Sequence, residues 1–77
     1  MSTDTELDTR GLRCPEPIMM LHKAIRNMAV DEVVHLLATD PATERDVAKF
    51  CEFLPHQLIK TETQDDEYHY WIKKGSR

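Results

Sequence analysis

Cys14 is the residue of this chain that is best placed to do chemistry. The segment 11–17 reads Gly-Leu-Arg-Cys-Pro-Glu-Pro. Pro17 predicts the first position of a helix, because the φ of proline is already helical and the N–H that it lacks would be unpaired there. Since Cys14 precedes Pro15, its backbone favours an extended conformation. We therefore expect the thiol to lie near the unpaired N–H groups of the first helical turn.

This position predicts a nucleophilic thiol. The partial positive charge of a helix N-terminus and the guanidinium of Arg13 both stabilise a thiolate, so the pKa of Cys14 is expected below the free value of about 8.5. Glu16 opposes this effect, because its carboxylate competes for the same field. The alternative is a small core residue, since cysteine is among the most buried residue types. The charged residues and prolines around Cys14 favour an exposed loop instead.

The second cysteine predicts a structural role. Cys51 falls on the apolar face of a predicted helix, which also carries Val47, Phe50 and Leu54. It lies far from any helix N-terminus, so we expect a buried and unreactive thiol. A disulfide with Cys14 stays open, because it depends on the distance between the two Cα atoms.

Two other kinds of cysteine site are disfavoured. The sequence contains no Cys-x-x-Cys motif, which argues against a dithiol oxidoreductase. A zinc site would have to combine the cysteines with histidines, and none of these residues stands at paired ligand spacing. The residues concerned are Cys14, Cys51, His22, His35, His56 and His69. We expect no metal and no cofactor.

The composition predicts one small globular domain over residues 1–77. A chain of 77 residues with 40% hydrophobic residues can form a compact core, although it buries only about 60% of its unfolded surface. With 14 acidic against 10 basic residues, the formal charge of −4 disfavours a broad phosphate-binding surface, so we expect no direct contact with nucleic acid. The apolar runs are too short for a membrane span, and the N-terminal residues lack the features of a signal peptide. The two cysteines stand in dissimilar settings and form no dense disulfide framework, which fits a reducing compartment where thiols stay free. This predicts a cytoplasmic protein.

The hydrophobic pattern predicts the element order strand, helix, strand, helix, strand, strand. A short strand over 5–9 precedes a helix from about Pro17 to Met28. A strand over 33–38 is apolar on both faces and is therefore expected at the centre of a sheet, with His35 in the core or on a sheet face. The helix carries one apolar stripe, consisting of Ile18, Leu21, Ala24, Ile25 and Met28.

The second half of the chain predicts a helix followed by a hairpin. Thr43 and Asp46 are spaced like a capping pair at the start of this helix, which ends near Leu54 before Pro55. Alternating segments over 56–63 and 67–74 flank a turn without glycine. The whole pattern predicts an α/β (α+β) two-layer sandwich, in which a four-stranded mixed sheet carries both helices on one face.

A small basic edge lies on the first predicted helix. His22, Lys23 and Arg26 form it, and they stand on the side away from the apolar stripe. Near a reactive Cys14, such an edge could steer the protein onto an acidic patch of a partner. The alternative is that these residues only solvate the outer face of the helix.

Two segments of the sequence resemble a known family. Residues 7–20, Leu-Asp-Thr-Arg-Gly-Leu-Arg-Cys-Pro-Glu-Pro-Ile-Met-Met, resemble the signature of the TusA/SirA family, small bacterial sulfur-carrier proteins with a Cys-Pro-x-Pro motif. The run Asp-Pro-Ala-Thr over 40–43, followed by Arg45-Asp46 and Phe50-Cys51, is similar to a second family segment. The resemblance covers nearly the full chain and favours the TusA branch. Helix capping and a local ion pair are sufficient to explain Arg45 and Asp46.

The resemblance implies a function for Cys14 as the residue that carries sulfur, supported in its loop by Arg13, Pro15, Glu16 and Pro17. It implies a pyridoxal-phosphate cysteine desulfurase as the donor, a downstream relay protein as the acceptor, and 2-thiolation of the wobble uridine of certain tRNAs as the destination. We expect a monomeric carrier. Sulfur supply to molybdenum-cofactor synthesis or to sulfur oxidation is an alternative, as is a regulatory interaction module whose cysteine is incidental.

Overall fold

The computed structural model describes residues 5–75 and has the predicted order of elements. The strands and helices are β1 (Thr5–Thr9), α1 (Glu16–Arg26), β2 (Val33–Ala38), α2 (Ala42–Phe53), β3 (Gln57–Gln64) and β4 (Glu67–Lys73). No helix within residues 5–75 is long and apolar enough to span a bilayer.

The four strands form one mixed sheet in the order β1-β2-β4-β3. β2 pairs in parallel with β1 and antiparallel with β4, and β3 pairs antiparallel with β4. Five of the six residues of β2 are buried. The apolar run over 33–38 therefore correctly predicted a central strand.

Both helices pack on the same face of the sheet. Val34, Leu36 and Ala38 alternate along β2, so they point to one face, and they belong to one core cluster with residues of both helices. The other buried members of that cluster are Leu21, Ile25, Met28, Val47, Phe50, Tyr70 and Ile72. This arrangement confirms the two-layer prediction.

Three aromatic rings stack on the opposite face of the sheet. His35 lies parallel to Trp71, with ring centroids 4.4 Å apart, and its Nε2 lies 2.9 Å from Nδ1 of His69. Val33 and Leu37 share this face and are each only 7% exposed. The stack therefore shields apolar side chains that no helix covers. His35 is a sheet-face residue, one of the two positions predicted for it.

The helix ends differ slightly from the prediction. α1 begins at Glu16, one residue before Pro17, and ends at Arg26 rather than at Met28. The N–H groups of Asn27 and Met28 donate to carbonyls three residues back, which tightens the final turn into 3₁₀ geometry.

The predicted hairpin forms without glycine. Asp65 and Asp66 have φ values of 51° and 65°, as a type I′ turn requires at its two central residues. Aspartate tolerates this left-handed region better than most residues, because its short side chain can bond to the local backbone. Two aspartates therefore replace the usual glycine.

Candidate functional site

Cys14 lies in the exposed loop that joins β1 to α1. Gly11 turns the chain at a φ of +85°, a value that favours glycine, and its N–H donates to Oγ1 of Thr39 at 2.9 Å. The N–H of Leu12 donates to the carbonyl of Thr9 at 3.1 Å. The Cys14–Pro15 peptide bond is cis. The loop is thus held against the end of β2.

Asp40 connects this loop to the start of α2. The N–H of Cys14 donates to Asp40 Oδ2 at 2.7 Å, and the N–H of Ala42 donates to Oδ1 at 3.0 Å. These two hydrogen bonds hold the pKa of Asp40 below its usual value. The sequence did not predict this role of Asp40. An aspartate two residues before a helix often accepts a hydrogen bond from the backbone of its own turn, as Asp40 does from Ala42. That local pattern does not predict the second contact, with the N–H of the distant Cys14.

The thiol of Cys14 contacts a second carboxylate. Its Sγ donates a hydrogen bond to Oδ2 of Asp46, on the first turns of α2, at 2.8 Å. The side chain of Asp46 is 17% exposed, and its Oδ1 lies 3.6 Å from Nε of Arg45. This ion pair was predicted from the sequence. The contact between Cys14 and Asp46 was not.

The predicted fall in the pKa of Cys14 is wrong. The hydrogen bond to Asp46 raises this pKa, desolvation and the charges of Asp46 and Asp40 raise it further, and only Arg45 lowers it. The helix N-terminus offers little compensation, because two of its first residues are prolines without an N–H. The N–H of Glu16, between them, donates to the carbonyl of Arg13 at 2.9 Å. The thiol therefore meets carboxylates instead of free N–H donors.

The predicted capping pair of Thr43 and Asp46 is also wrong. Thr43 is fully buried, and its hydroxyl donates to the carbonyl of Asp40 at 2.7 Å. The same hydroxyl lies 2.9 Å from the hydroxyl of Tyr70. Asp46 instead accepts a hydrogen bond from the Cys14 thiol, so the two side chains do not cap the helix together.

The four residues predicted to support the loop have different positions. Pro17 is fully buried, whereas Arg13 and Glu16 are exposed. Pro15 is exposed as well and lines a groove beside Cys14. Of the four residues, Pro17 is the buried one.

The groove beside Cys14 runs between α1 and α2 and has a volume of about 470 Å³. Its walls are mostly apolar, with Ile18, Phe50 and Leu54 among them, and Phe53 stands at its edge with 79% of its surface exposed. We call this surface the Cys14 groove. It offers an apolar contact surface next to the only exposed thiol within residues 5–75.

The predicted basic edge is divided between two places. His22 lines the Cys14 groove, where its ring meets Phe50 edge-on at a centroid distance of 4.6 Å. Lys49 of α2 also lines the groove and was not singled out from the sequence. Lys23 and Arg26 are exposed on α1 outside the groove lining.

Cys51 is free and only partly buried, so the expected burial is incomplete. It packs against the core, and desolvation raises its pKa to about 11. A thiol with this pKa is almost entirely protonated near neutral pH and is a poor nucleophile. Across residues 5–75, no three His, Cys, Asp or Glu side chains are grouped to hold a metal ion.

The sequence also matches a known family. A sequence model with the description "Sulfurtransferase TusA" matches residues 5–74. The match includes the Cys14 loop, both helices and all four strands, and so extends over nearly the whole chain. The chain therefore belongs to the TusA sulfurtransferase family.

Proposed function

We propose that this protein is a persulfide carrier that loads sulfur on Cys14. The observation that carries the proposal is the contrast between the two cysteines. Cys14 is exposed at an apolar groove and held by Asp40 and Asp46, whereas Cys51 is partly buried with a pKa of about 11. A carrier needs one accessible thiol in a fixed place rather than an enclosed substrate cavity.

The proposed loading step is an exchange between a thiol and a persulfide. Cys14 Sγ attacks the outer sulfur of a persulfide on the donor, and a new S–S bond forms as the donor's S–S bond breaks. The donor cysteine leaves with the electron pair and takes up one proton. Cys14 then holds the outer sulfur as its own persulfide. Because the outer sulfur is transferred without a net change in oxidation state, the step consumes no oxidant or reductant.

The second step repeats the exchange with a new partner. A cysteine of a downstream relay protein attacks the outer sulfur on Cys14, and Cys14 returns to the thiol form. The family membership supports sulfur transfer in general. We propose a cysteine desulfurase as donor and a relay that ends in 2-thiolation of tRNA wobble uridine, in the cytoplasm, with the carrier acting as a monomer and without contacting RNA. Other sulfur-requiring pathways are the alternative destination.

The Cys14 groove is the proposed docking surface for the donor's cysteine-bearing loop. A loop that delivers sulfur must bring its own cysteine to Sγ, and the groove is the apolar surface that adjoins Sγ. His22 at the groove, with Lys23 and Arg26 beyond it, adds positive or polar groups that suit an acidic partner surface. Met19, 63% exposed on α1, extends the apolar surface available to a partner.

Mass spectrometry without reductant tests the proposal. The protein is incubated with cysteine and a bacterial cysteine desulfurase, beside its Cys14→Ser and Cys51→Ser variants. We expect one added sulfur on the Cys14 peptide of the wild-type and Cys51→Ser proteins, and none on Cys14→Ser. If no sulfur is added while the desulfurase carries its own persulfide, the carrier function is wrong for that donor. A regulatory interaction module would then be the hypothesis to pursue, with full cellular function of Cys14→Ser as its signature.

A further inference from the structure

We propose that Asp46 is a catalytic residue of the carrier: it accepts the proton of the Cys14 thiol as Sγ attacks the donor persulfide. This inference rests on the proposed function. Sγ and Asp46 Oδ2 are 2.8 Å apart, the distance within which a general base must lie from the proton that it removes. No motion of the backbone is needed before the proton can transfer.

The surroundings of Asp46 suit a proton acceptor. Its side chain is 17% exposed, so few water molecules compete for the carboxylate. Arg45 approaches the other oxygen, Oδ1, at 3.6 Å, which is too long for a strong hydrogen bond. Oδ2 is therefore directed at the thiol and not at a cation.

The charges around Sγ explain why a base is needed. Asp46 and Asp40 both disfavour the thiolate, so the resting thiol is protonated and must lose its proton during the attack. Asp40 cannot easily take the proton, because its oxygens already accept the N–H groups of Cys14 and Ala42. The charged groups that act on Sγ are Asp40, just before α2, and Arg45 and Asp46 on α2. His22 on α1 and Lys49 on α2 line the groove beside it.

The proton and the electrons balance in this step. A carboxylate is a weak base toward a thiol, so the proton must move to Asp46 Oδ2 as the new S–S bond forms. The donor's S–S bond breaks, and its electron pair stays on the donor cysteine. Asp46 then returns the proton to that thiolate, which leaves Asp46 charged and Cys14 persulfidated.

The Asp46→Asn variant separates catalysis from simple reactivity. Both measurements use the Cys51→Ser background, so that Cys14 is the only reactive thiol. The first is the rate of alkylation by iodoacetamide against pH, which reports the thiolate of Cys14. The second is the single-turnover rate of sulfur transfer from a persulfidated desulfurase, also against pH. Glu44→Gln is the matched control, since it removes an exposed carboxylate from the same end of α2.

We expect opposite effects on the two rates. Asp46→Asn removes the charge that opposes ionisation, so alkylation near pH 7 becomes faster. Sulfur transfer becomes about 100-fold slower, the lower end of what a general base contributes, and now rises with pH as the thiolate forms. Asp46→Glu regains part of the transfer rate, and Glu44→Gln changes neither rate.

Two results would overturn the inference. Faster alkylation together with faster sulfur transfer would mean that Asp46 only holds the thiol protonated. Equal slowing of both rates would mean that the side chain only supports the loop. Both results leave sulfur transfer to the parent protein intact, whereas failure of the carrier function itself would leave no transfer to compare.

Discussion

The backbone N–H of Cys14 and the carboxylate of Asp40 are joined by a hydrogen bond of 2.7 Å. Six residues later, Asp46 accepts the hydrogen of the same cysteine's thiol at 2.8 Å. Both carboxylates belong to the start of α2, one just before it and one within it. The position of Cys14 is therefore set by a helix that begins 28 residues later in the chain, at Ala42, as well as by its own loop.

Replacement of Asp40 should loosen the loop, and it also removes one of the charges that disfavour the Cys14 thiolate. Asp40→Ala removes the acceptor of the Cys14 and Ala42 N–H groups, so we expect faster amide exchange at Cys14, a lower Tm and slower sulfur loading. Asp40→Asn keeps an oxygen acceptor for one N–H, so its amide exchange, Tm and loading rate should lie between those of the wild type and Asp40→Ala. Exchange measured by NMR checks the loop directly. An amide of Cys14 that exchanges as slowly in Asp40→Ala as in the wild type would contradict this role.

The Asp40 contact also has a defined pH dependence. Its pKa in the folded protein is lower than the usual value of 3.8, because the charged carboxylate accepts two N–H groups. The resulting stabilisation is complete above the unfolded pKa and is lost as the pH falls through the folded pKa. We expect the Tm difference between wild type and Asp40→Ala to shrink below pH 4. A difference that stays constant down to pH 2 would show that the charge of Asp40 contributes nothing.

Phe53 should contribute to partner binding and little to folding. It is 79% exposed at the edge of the Cys14 groove. Phe53→Ala is expected to change the free energy of unfolding by less than about 0.5 kcal/mol, as at most surface sites. It should raise the KM for a persulfide donor about 5- to 30-fold, which corresponds to a loss of about 1–2 kcal/mol at an interface anchor. The kcat should change little, because the groups that act on Sγ are Asp46, Asp40 and Arg45.

Val30 provides the matched control for that experiment. It is another exposed hydrophobic residue, at 50%, and lies outside the groove lining. Val30→Ala should leave KM unchanged. If both substitutions raise KM equally, loss of general surface hydrophobicity explains the effect, and the groove is not the docking surface.

The fold was largely predictable because its signals are local. The stripe that ends at Met28 and the apolar run over 33–38 each depend on spacing within one element, and both were interpreted correctly. The hairpin turn was predicted despite the missing glycine, since Asp65 and Asp66 adopt the φ values that glycine usually supplies. Local pattern also identified Cys14 as the exposed cysteine and Cys51 as the more buried one.

The environment of the thiol was less predictable because it depends on distant residues. Asp46 lies 32 residues from Cys14, and its capping spacing with Thr43 suggested a different use. Part of the error was avoidable. Pro15 and Pro17 have no N–H, so the sequence itself already removed donors on which a low thiol pKa would depend.

The buried hydroxyl of Thr43 should stabilise the base of the site. It donates to the carbonyl of Asp40 and pairs with the hydroxyl of Tyr70. Thr43→Val removes one of the two hydrogen bonds to the part-buried carbonyl of Asp40 and leaves the buried hydroxyl of Tyr70 without this partner. We therefore expect a loss of about 1–3 kcal/mol in the free energy of unfolding. Urea unfolding measures it. The double variant with Tyr70→Phe should lose less than the sum of the single variants, because one interaction is shared, and strict additivity would contradict the contact.

His56 should make the protein less stable in mild acid. Its Nδ1 accepts the N–H of Gly75 at 2.9 Å, and its ring stacks on Phe50 with a centroid distance of 5.4 Å. Burial, followed by the charges of Lys74 and His22, lowers the pKa of His56 below 6.5. The unfolded chain therefore binds a proton more readily than the folded one. The contribution of His56 is complete above pH 6.5 and decreases as the pH falls from 6.5 toward the folded pKa.

Urea unfolding at pH 7.5 and 5.5 checks this effect, with His56→Asn as the test variant. The amide oxygen of asparagine can accept the N–H of Gly75 in place of Nδ1 and does not titrate in this range. We expect the variant to lose less stability than the wild type between the two pH values. His22→Gln is a second test, because the charge of His22 is the smallest of the three causes that lower the pKa of His56, and its loss should leave most of the pH dependence in place. If wild type and His56→Asn lose the same free energy of unfolding between the two pH values, His56 does not cause the acid sensitivity, and other titrating groups must.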